Sequence, residues 1–120
     1  MAKILVVDDN PDNRDLICDI LEDADYDFVE AADAELGLAS MESEIFDLVL
    51  MDVSLPGMNG LDATKNIKDN PQHTGIPVFL LTAHAMQSDI DAGKAVGADS
   101  YITKPIDEDK LLAEIEKALD

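Results

Sequence analysis

The chain has 120 residues, with 27 Asp and Glu against 8 Lys and Arg, and a formal net charge of −19 at pH 7. That length fits a single domain, residues 1–120, and 47% hydrophobic with 29% charged residues is the composition of a folded protein with a buried core. So negative a surface excludes, for the domain as a whole, the Lys- and Arg-led attraction that holds nucleic acid or an anionic membrane, and neither is an expected partner.

The first element is the apolar run at residues 4–7, short, aliphatic and non-alternating, which predicts a strand buried on both faces of a parallel sheet. Asn10 stands where an N-cap belongs and Pro11 where a first helical turn accepts proline. Leu16, Ile17, Ile20, Leu21 and Ala24 then recur along one face of an amphipathic helix. Phe28 and Val29 with Ala31 mark a second strand. Ala34, Leu38 and Met41 form a shorter helical stripe, in which Gly37 costs about 1 kcal/mol relative to Ala. Residues 48–51 predict a third strand, and Leu61, Thr64 and Ile67 a third helix. Residues 70–75, with Pro71 and Gly75, make the longest loop before a fourth strand at residues 78–81. A fourth helix at residues 90–96 stops at Gly97, a left-handed cap, and a weaker fifth strand follows at residues 100–103. Asp107 caps the last helix, whose apolar face is Leu111, Leu112, Ile115 and Leu119. Strand and helix alternate five times. The expected architecture is an α/β doubly wound parallel sheet of five strands, because right-handed crossovers place the helices on both faces.

A lone cysteine, Cys18, allows no internal disulfide and reads as a small hydrophobe on a helix flank. No apolar run approaches the roughly 18 residues of a membrane span. The run at residues 4–7 is too short for a signal-peptide core. A cytoplasmic location is expected.

Functional crevices in open parallel sheets lie beyond the carboxyl ends of the strands. Those ends deliver Asp8 and Asp9, Asp52, Thr82 and Lys104. Three carboxylates and one ammonium sum to −2, which a hard dication brings to zero. Mg²⁺ fits best, because it takes oxygen ligands and characteristically joins one or two carboxylates to phosphate oxygens. The third carboxylate is then free to attack phosphorus. Asp52, alone at its strand end, is the candidate nucleophile, while the adjacent Asp8 and Asp9 suit a metal. Asp8, Asn10 and Asp12 imitate the opening of a calcium loop, but Asn13 stands where the sharp turn needs Gly and a strand precedes it in place of a helix.

Residues 4–10, residues 52–60, Thr82-Ala83 and residues 97–105 resemble the signature segments of the response-regulator receiver domains of two-component signalling, and the resemblance runs over about residues 2–119. It implies the flavodoxin-like strand order 2-1-3-4-5. It implies that Asp52 accepts a phosphoryl group from phosphohistidine on a histidine kinase or histidine phosphotransfer protein. Asp8, Asp9, Asp52 and the backbone carbonyl of Ser54 would hold Mg²⁺. Lys104, before a cis Pro105, would pair with the phosphoryl oxygens, and Thr82 would hydrogen-bond to them after transfer. Tyr101 would then pass from exposed to buried, altering the face of the fourth helix, fifth strand and fifth helix for a downstream protein that the sequence does not identify. Ser54 and His84, two positions after Asp52 and Thr82, would flank the path of the attacking water and set the phosphoryl lifetime. Pro11, Asn13, Arg14 and Ile106 would meet the kinase side. The chain would catalyse only its own phosphorylation and dephosphorylation, as a monomer with phosphorylation-dependent dimerisation open to it. Ala34 and Gly37 look interchanged relative to the family's usual Gly and Ala, which is expected to loosen the second helix. The last helix ends the chain, which suits either a stand-alone regulator or a receiver cut from a hybrid kinase or larger regulator.

Two other classes share parts of this pattern. A flavin-type cofactor binder needs a first loop rich in Ser, Thr and Gly to cradle phosphate, whereas residues 8–12 here, with Asp8, Asp9 and Asp12, would repel one without a metal. An Asp-nucleophile phosphatase places a second acid two residues after the nucleophile, where this chain has Ser54. Read singly, Thr82 is an ordinary β-branched strand residue, Tyr101 core, Lys104 a surface lysine, His73 a loop histidine, and Met51 and Met58 packing.

Overall fold

Five parallel strands, β1 (Lys3–Val7), β2 (Asp27–Ala31), β3 (Leu48–Asp52), β4 (Val78–Thr82) and β5 (Ser100–Thr103), form one sheet in the order β2-β1-β3-β4-β5. The helices between and after them are α1 (Pro11–Asp23), α2 (Ala34–Ser43), α3 (Gly60–Asp69), α4 (Gln87–Ala95) and α5 (Glu108–Leu119). The computed structural model describes residues 2–55, 57–83 and 87–119. The doubly wound architecture expected from the alternation is the one found. Each apolar run is a strand, extended by one polar residue at an end of β1, β3 and β4 because the parallel ladder runs past the apolar segment.

The non-alternating runs have a packing cause. Ile4, Val6, Leu48, Leu50, Phe79, Leu81 and Ile102 face one side of the sheet and meet Ile17, Ile20 and Leu21 of α1 and Leu111 and Ile115 of α5. Leu5, Val7, Val49, Met51, Val78 and Leu80 face the other side, against Ala34 and Met41 of α2 and Ala63 and Ile67 of α3. Two-sided burial leaves β3 and β4 fully covered along their length. Cys18 and Met51 are buried and Met58 packs against the second core, as their apolar character suggested. Burial and the neighbouring Glu30 push the Cys18 thiol up to about 12, so it stays a neutral core group.

Caps set the helix ends. The Asn10 side chain accepts from the N–H groups of Asp12 and Asn13, and Asp33, Asn59 and Asp107 accept in the same way at α2, α3 and α5. At Gly97, φ is +91°, and hydrogen bonds from Gly97 N–H to the Lys94 carbonyl and from Ala98 N–H to the Gly93 carbonyl close α4 in a Schellman motif. The helix begins at Gln87, before the expected Ile90, because its first turn is polar: Gln87 bonds Asp91 at 2.9 Å.

Gly37 corrects the expectation of a loosened α2. A Cβ at this position would stand 2.8 Å from Val7 Cγ2, so the missing side chain lets α2 lie close on β1. Gly60 has a similar task at the start of α3, where a Cβ would overlap the Asp52 carbonyl. In contrast, α4 contributes only Gly93 as a buried residue and is the helix least anchored by side chains among the described residues.

Candidate functional site

The register explains why the strand-end residues meet. Val7 pairs with Met51, so Asp8 and Asp52 leave the neighbouring central strands at the same level. Asp52 is level with Leu81, one residue before Thr82, and Thr82 pairs with Thr103, one residue before Lys104. Lys104 N–H also donates to the Thr82 carbonyl at 2.7 Å, which ties the end of β5 to the end of β4. The Lys104–Pro105 peptide is cis, as the resemblance implied.

Asp8 is fully buried, Asp52 is 3% exposed and Thr82 is 6% exposed, whereas Asp9 faces solvent. The Lys104 ammonium stands between the two buried acids, 3.3 Å from Asp8 Oδ2 and 3.3 Å from Asp52 Oδ2. Backbone donors hold the opposite oxygens: Asn10 N–H donates to Asp8 Oδ1 at 2.9 Å, and Ser54 N–H donates to Asp52 Oδ1 at 3.1 Å. Among the described residues, Asp8 Oδ2 is buried and makes no hydrogen bond of good geometry, its one partner being the ion-paired Lys104 ammonium. Burial and the Asp8 charge push Asp52 up to about 6, against the lowering pull of the Ser54 N–H and Lys104. One ammonium does not fully offset two buried carboxylates.

Oxygen atoms of Asp8, Asp9 and Asp52 lie within 4.8 Å of one another. An all-oxygen donor set, two of its carboxylates buried and sharing one ammonium, carries surplus negative charge and fits a hard dication such as Mg²⁺. The charge argument drawn from the strand ends therefore has its geometric counterpart: Asp8, Asp9, Asp52 and Lys104 converge, with Thr82 at the adjoining strand end.

The other expected residues lie around this cluster. Ser54 is exposed and contributes its N–H to Asp52; His84 lies outside the described residues. Tyr101 is half-buried beneath α4, its hydroxyl donating to the Asp89 carbonyl, and burial followed by the nearby Asp89 raises its pKa. Pro11 and Asp12 are exposed at the start of α1, Asn13 and Ile106 partly so. Arg14 turns inward, where its guanidinium bonds the Asp8 carbonyl and approaches Glu30. Gly93 had drawn no attention in the sequence, yet a Cβ there would overlap the Tyr101 ring. No local signal marks it, because its neighbour comes from another element.

Comparisons with known proteins identify the family and agree with the fold. The family model described as "Response regulator receiver domain" matches residues 4–116. Protein PilH of Pseudomonas aeruginosa is 37% identical over 119 residues, which is 99% of this chain and 98% of that protein. The chemotaxis protein CheY4 of Vibrio cholerae superposes with a TM-score of 0.95 at 34% identity, covering 99% of both chains. The receiver domain of the sensor histidine kinase PA1611 of Pseudomonas aeruginosa, solved with a magnesium ion coordinated in its active-site cleft, gives a TM-score of 0.91 at 30% identity, over 98% of this chain and 97% of that one. Some curated relatives are longer: the matched segment is 12% of the sensor histidine kinase GacS of Pseudomonas protegens and 51% of the transcriptional regulatory protein PhoB of Escherichia coli.

Proposed function

Because the chain belongs to the response-regulator receiver family of two-component signalling, we propose that Asp52 is its phosphoacceptor, in a Mg²⁺-dependent transfer from phosphohistidine of a sensor kinase or phosphotransfer protein. The observation that carries this reading is the buried Asp52 carboxylate, 3.3 Å from a Lys104 ammonium that it shares with the buried Asp8 carboxylate.

Asp8, Asp9 and Asp52, with the Ser54 carbonyl, are the groups to hold the ion. When bound, Mg²⁺ supplies charge neutralisation and a further anchor for phosphoryl oxygens. Asp52 Oδ2 forms the new P–O bond as the donor's P–N bond breaks, and the imidazole leaves with that electron pair. Lys104 faces the equatorial oxygens, on which charge accumulates during transfer. Thr82, at the end of β4, hydrogen-bonds to the phosphoryl group that results. Ser54 and His84 govern water access and hence lifetime. Catalysis is confined to the chain's own phosphorylation and loss of the group.

Phosphorylation adds about −1.5 to −2 charges and three acceptor oxygens at the end of the sheet. Thr82 moves toward them, and α4, held by few side chains, is the element able to respond together with Tyr101, β5 and α5. That face serves a downstream protein and a phosphorylation-dependent dimer of an otherwise monomeric receiver unit, residues 1–120, in the cytoplasm. Pro11, Asn13, Arg14 and Ile106 border the docking side for the phosphoryl donor. Setting aside Asp8, Asp9 and Asp52 leaves 24 of the 27 acids, 16 more than the 8 Lys and Arg, so docking of a basic partner weakens as salt rises.

Intact-mass measurement after incubation with Mg²⁺ and a small acyl phosphate tests the proposal. Wild type gains one phosphoryl group, whereas Asp52→Asn and EDTA-treated wild type gain none. A folded wild-type chain that stays unmodified overturns it.

A further inference from the structure

The β1–α1 loop carries two of the three pocket acids, and a ring of bonds closes it. Asp8 Oδ1 accepts from Asn10 N–H at 2.9 Å, and Asn10 Oδ1 accepts from the N–H groups of Asp12 and Asn13. The Asn10 carbonyl accepts from Arg14 N–H at 3.0 Å. The Arg14 side chain then folds back, and Nη1 donates to the Asp8 carbonyl at 2.8 Å. Its Nε lies 3.5 Å from Glu30 Oε1, on the strand beside β1, and the side chain is only 20% exposed. Glu30 also lies close enough to the Cys18 thiol, one helical turn beyond Arg14 on α1, to help raise its pKa. A carboxylate on β2 thus orients a guanidinium on α1, and that guanidinium fixes the peptide from which Asp8 points its buried Oδ2 toward Lys104 and the pocket.

Building on the Mg²⁺-dependent reading above, we propose that Arg14 is a positioning residue for the cation site, through its hydrogen bond to the Asp8 carbonyl and its orientation by Glu30. The planar fork is essential, because Nη1 and Nε face two acceptors on two segments, the Asp8 carbonyl in the β1–α1 loop and Glu30 on β2. A lysine ammonium keeps the charge and loses that geometry.

The sign of the effect separates this role from bulk electrostatics. Removing a positive charge near a cation site tightens cation binding by Coulomb's law. Removing a positioning group that acts through a ligand weakens metal affinity, characteristically by 10–100-fold. Isothermal titration of the full chain with Mg²⁺ alone is compared for wild type, Arg14→Met and Arg14→Lys, with folding verified by circular dichroism. We expect both variants to bind about tenfold more weakly. Variants that bind as tightly as wild type, or Arg14→Met binding more tightly, overturn the inference. If Arg14→Met does not fold, Arg14→Lys decides by the same criterion. A wild-type chain that binds no Mg²⁺ overturns the phosphoacceptor reading and this inference with it, whereas wild-type binding with unshifted variants overturns the inference alone.

Discussion

Replacing Asp52 by Asn should stabilise the metal-free protein, and the structure sets the size of the effect. Asp52 is 3% exposed and its pKa rises from 3.8 to about 6, through burial first and the Asp8 charge second. The folded chain therefore keeps this proton to a higher pH than the unfolded chain does. Its contribution is fully present below the unfolded value of 3.8 and is lost as pH rises through about 6. About two pH units at 1.36 kcal/mol each make the ionised carboxylate a burden of about 3 kcal/mol at pH 7.5. Asparagine removes the charge and keeps an amide oxygen for the Ser54 N–H, while Lys104 retains Asp8 as a partner. Urea unfolding in EDTA at several pH values between 4 and 7.5 measures the difference. The variant should be about 2–3 kcal/mol more stable at pH 7.5, with the gap closing toward pH 4. Added Mg²⁺ should narrow the gap, since a ligand at a hundred times its Kd stabilises the folded state by about 2.7 kcal/mol. A variant no more stable than wild type at pH 7.5, or a gap independent of pH, refutes the reasoning.

Two further substitutions test features of the fold. Asp25 has φ +65° after α1, in a helix end without a basic residue in its last turn, so Asp25→Gly should raise stability by about 1 kcal/mol in urea unfolding by relieving both the left-handed backbone and a carboxylate at the negative end of the dipole. Gly93→Ala gains about 1 kcal/mol of helix propensity yet meets the Tyr101 ring, so it should destabilise by a net 1–2 kcal/mol and make Tyr101 more accessible in solvent-perturbation spectra; unchanged tyrosine accessibility would contradict the packing described.

Residues 4–7, 48–51 and 78–81 were legible as strands because two-sided burial leaves an unbroken aliphatic run, and the ends of those runs located Asp8, Asp52 and Thr82 without side-chain geometry. The start of α4 was not legible, since Gln87, Ser88 and Asp89 are all polar and show no apolar period. Gly37 read as a weakness on propensity alone; its reason is Val7, a neighbour on another element. Arg14 was equally hidden. Its acceptors are a backbone carbonyl and Glu30, which the register Val6 to Glu30 brings alongside β1. Residue types at strand ends carry chemical meaning, whereas close approach and backbone partners depend on tertiary contacts.

The most direct measurement of the central claim locates the phosphoryl group. Borohydride reduction of the acyl-phosphate-treated chain converts an aspartyl phosphate to homoserine, and peptide mass spectrometry then reads its position. Homoserine is expected at position 52 and nowhere else, dependent on Mg²⁺; homoserine at position 8 or 9, or an unreduced Asp52 in a chain that carries phosphate, would rule out Asp52 as the phosphoacceptor.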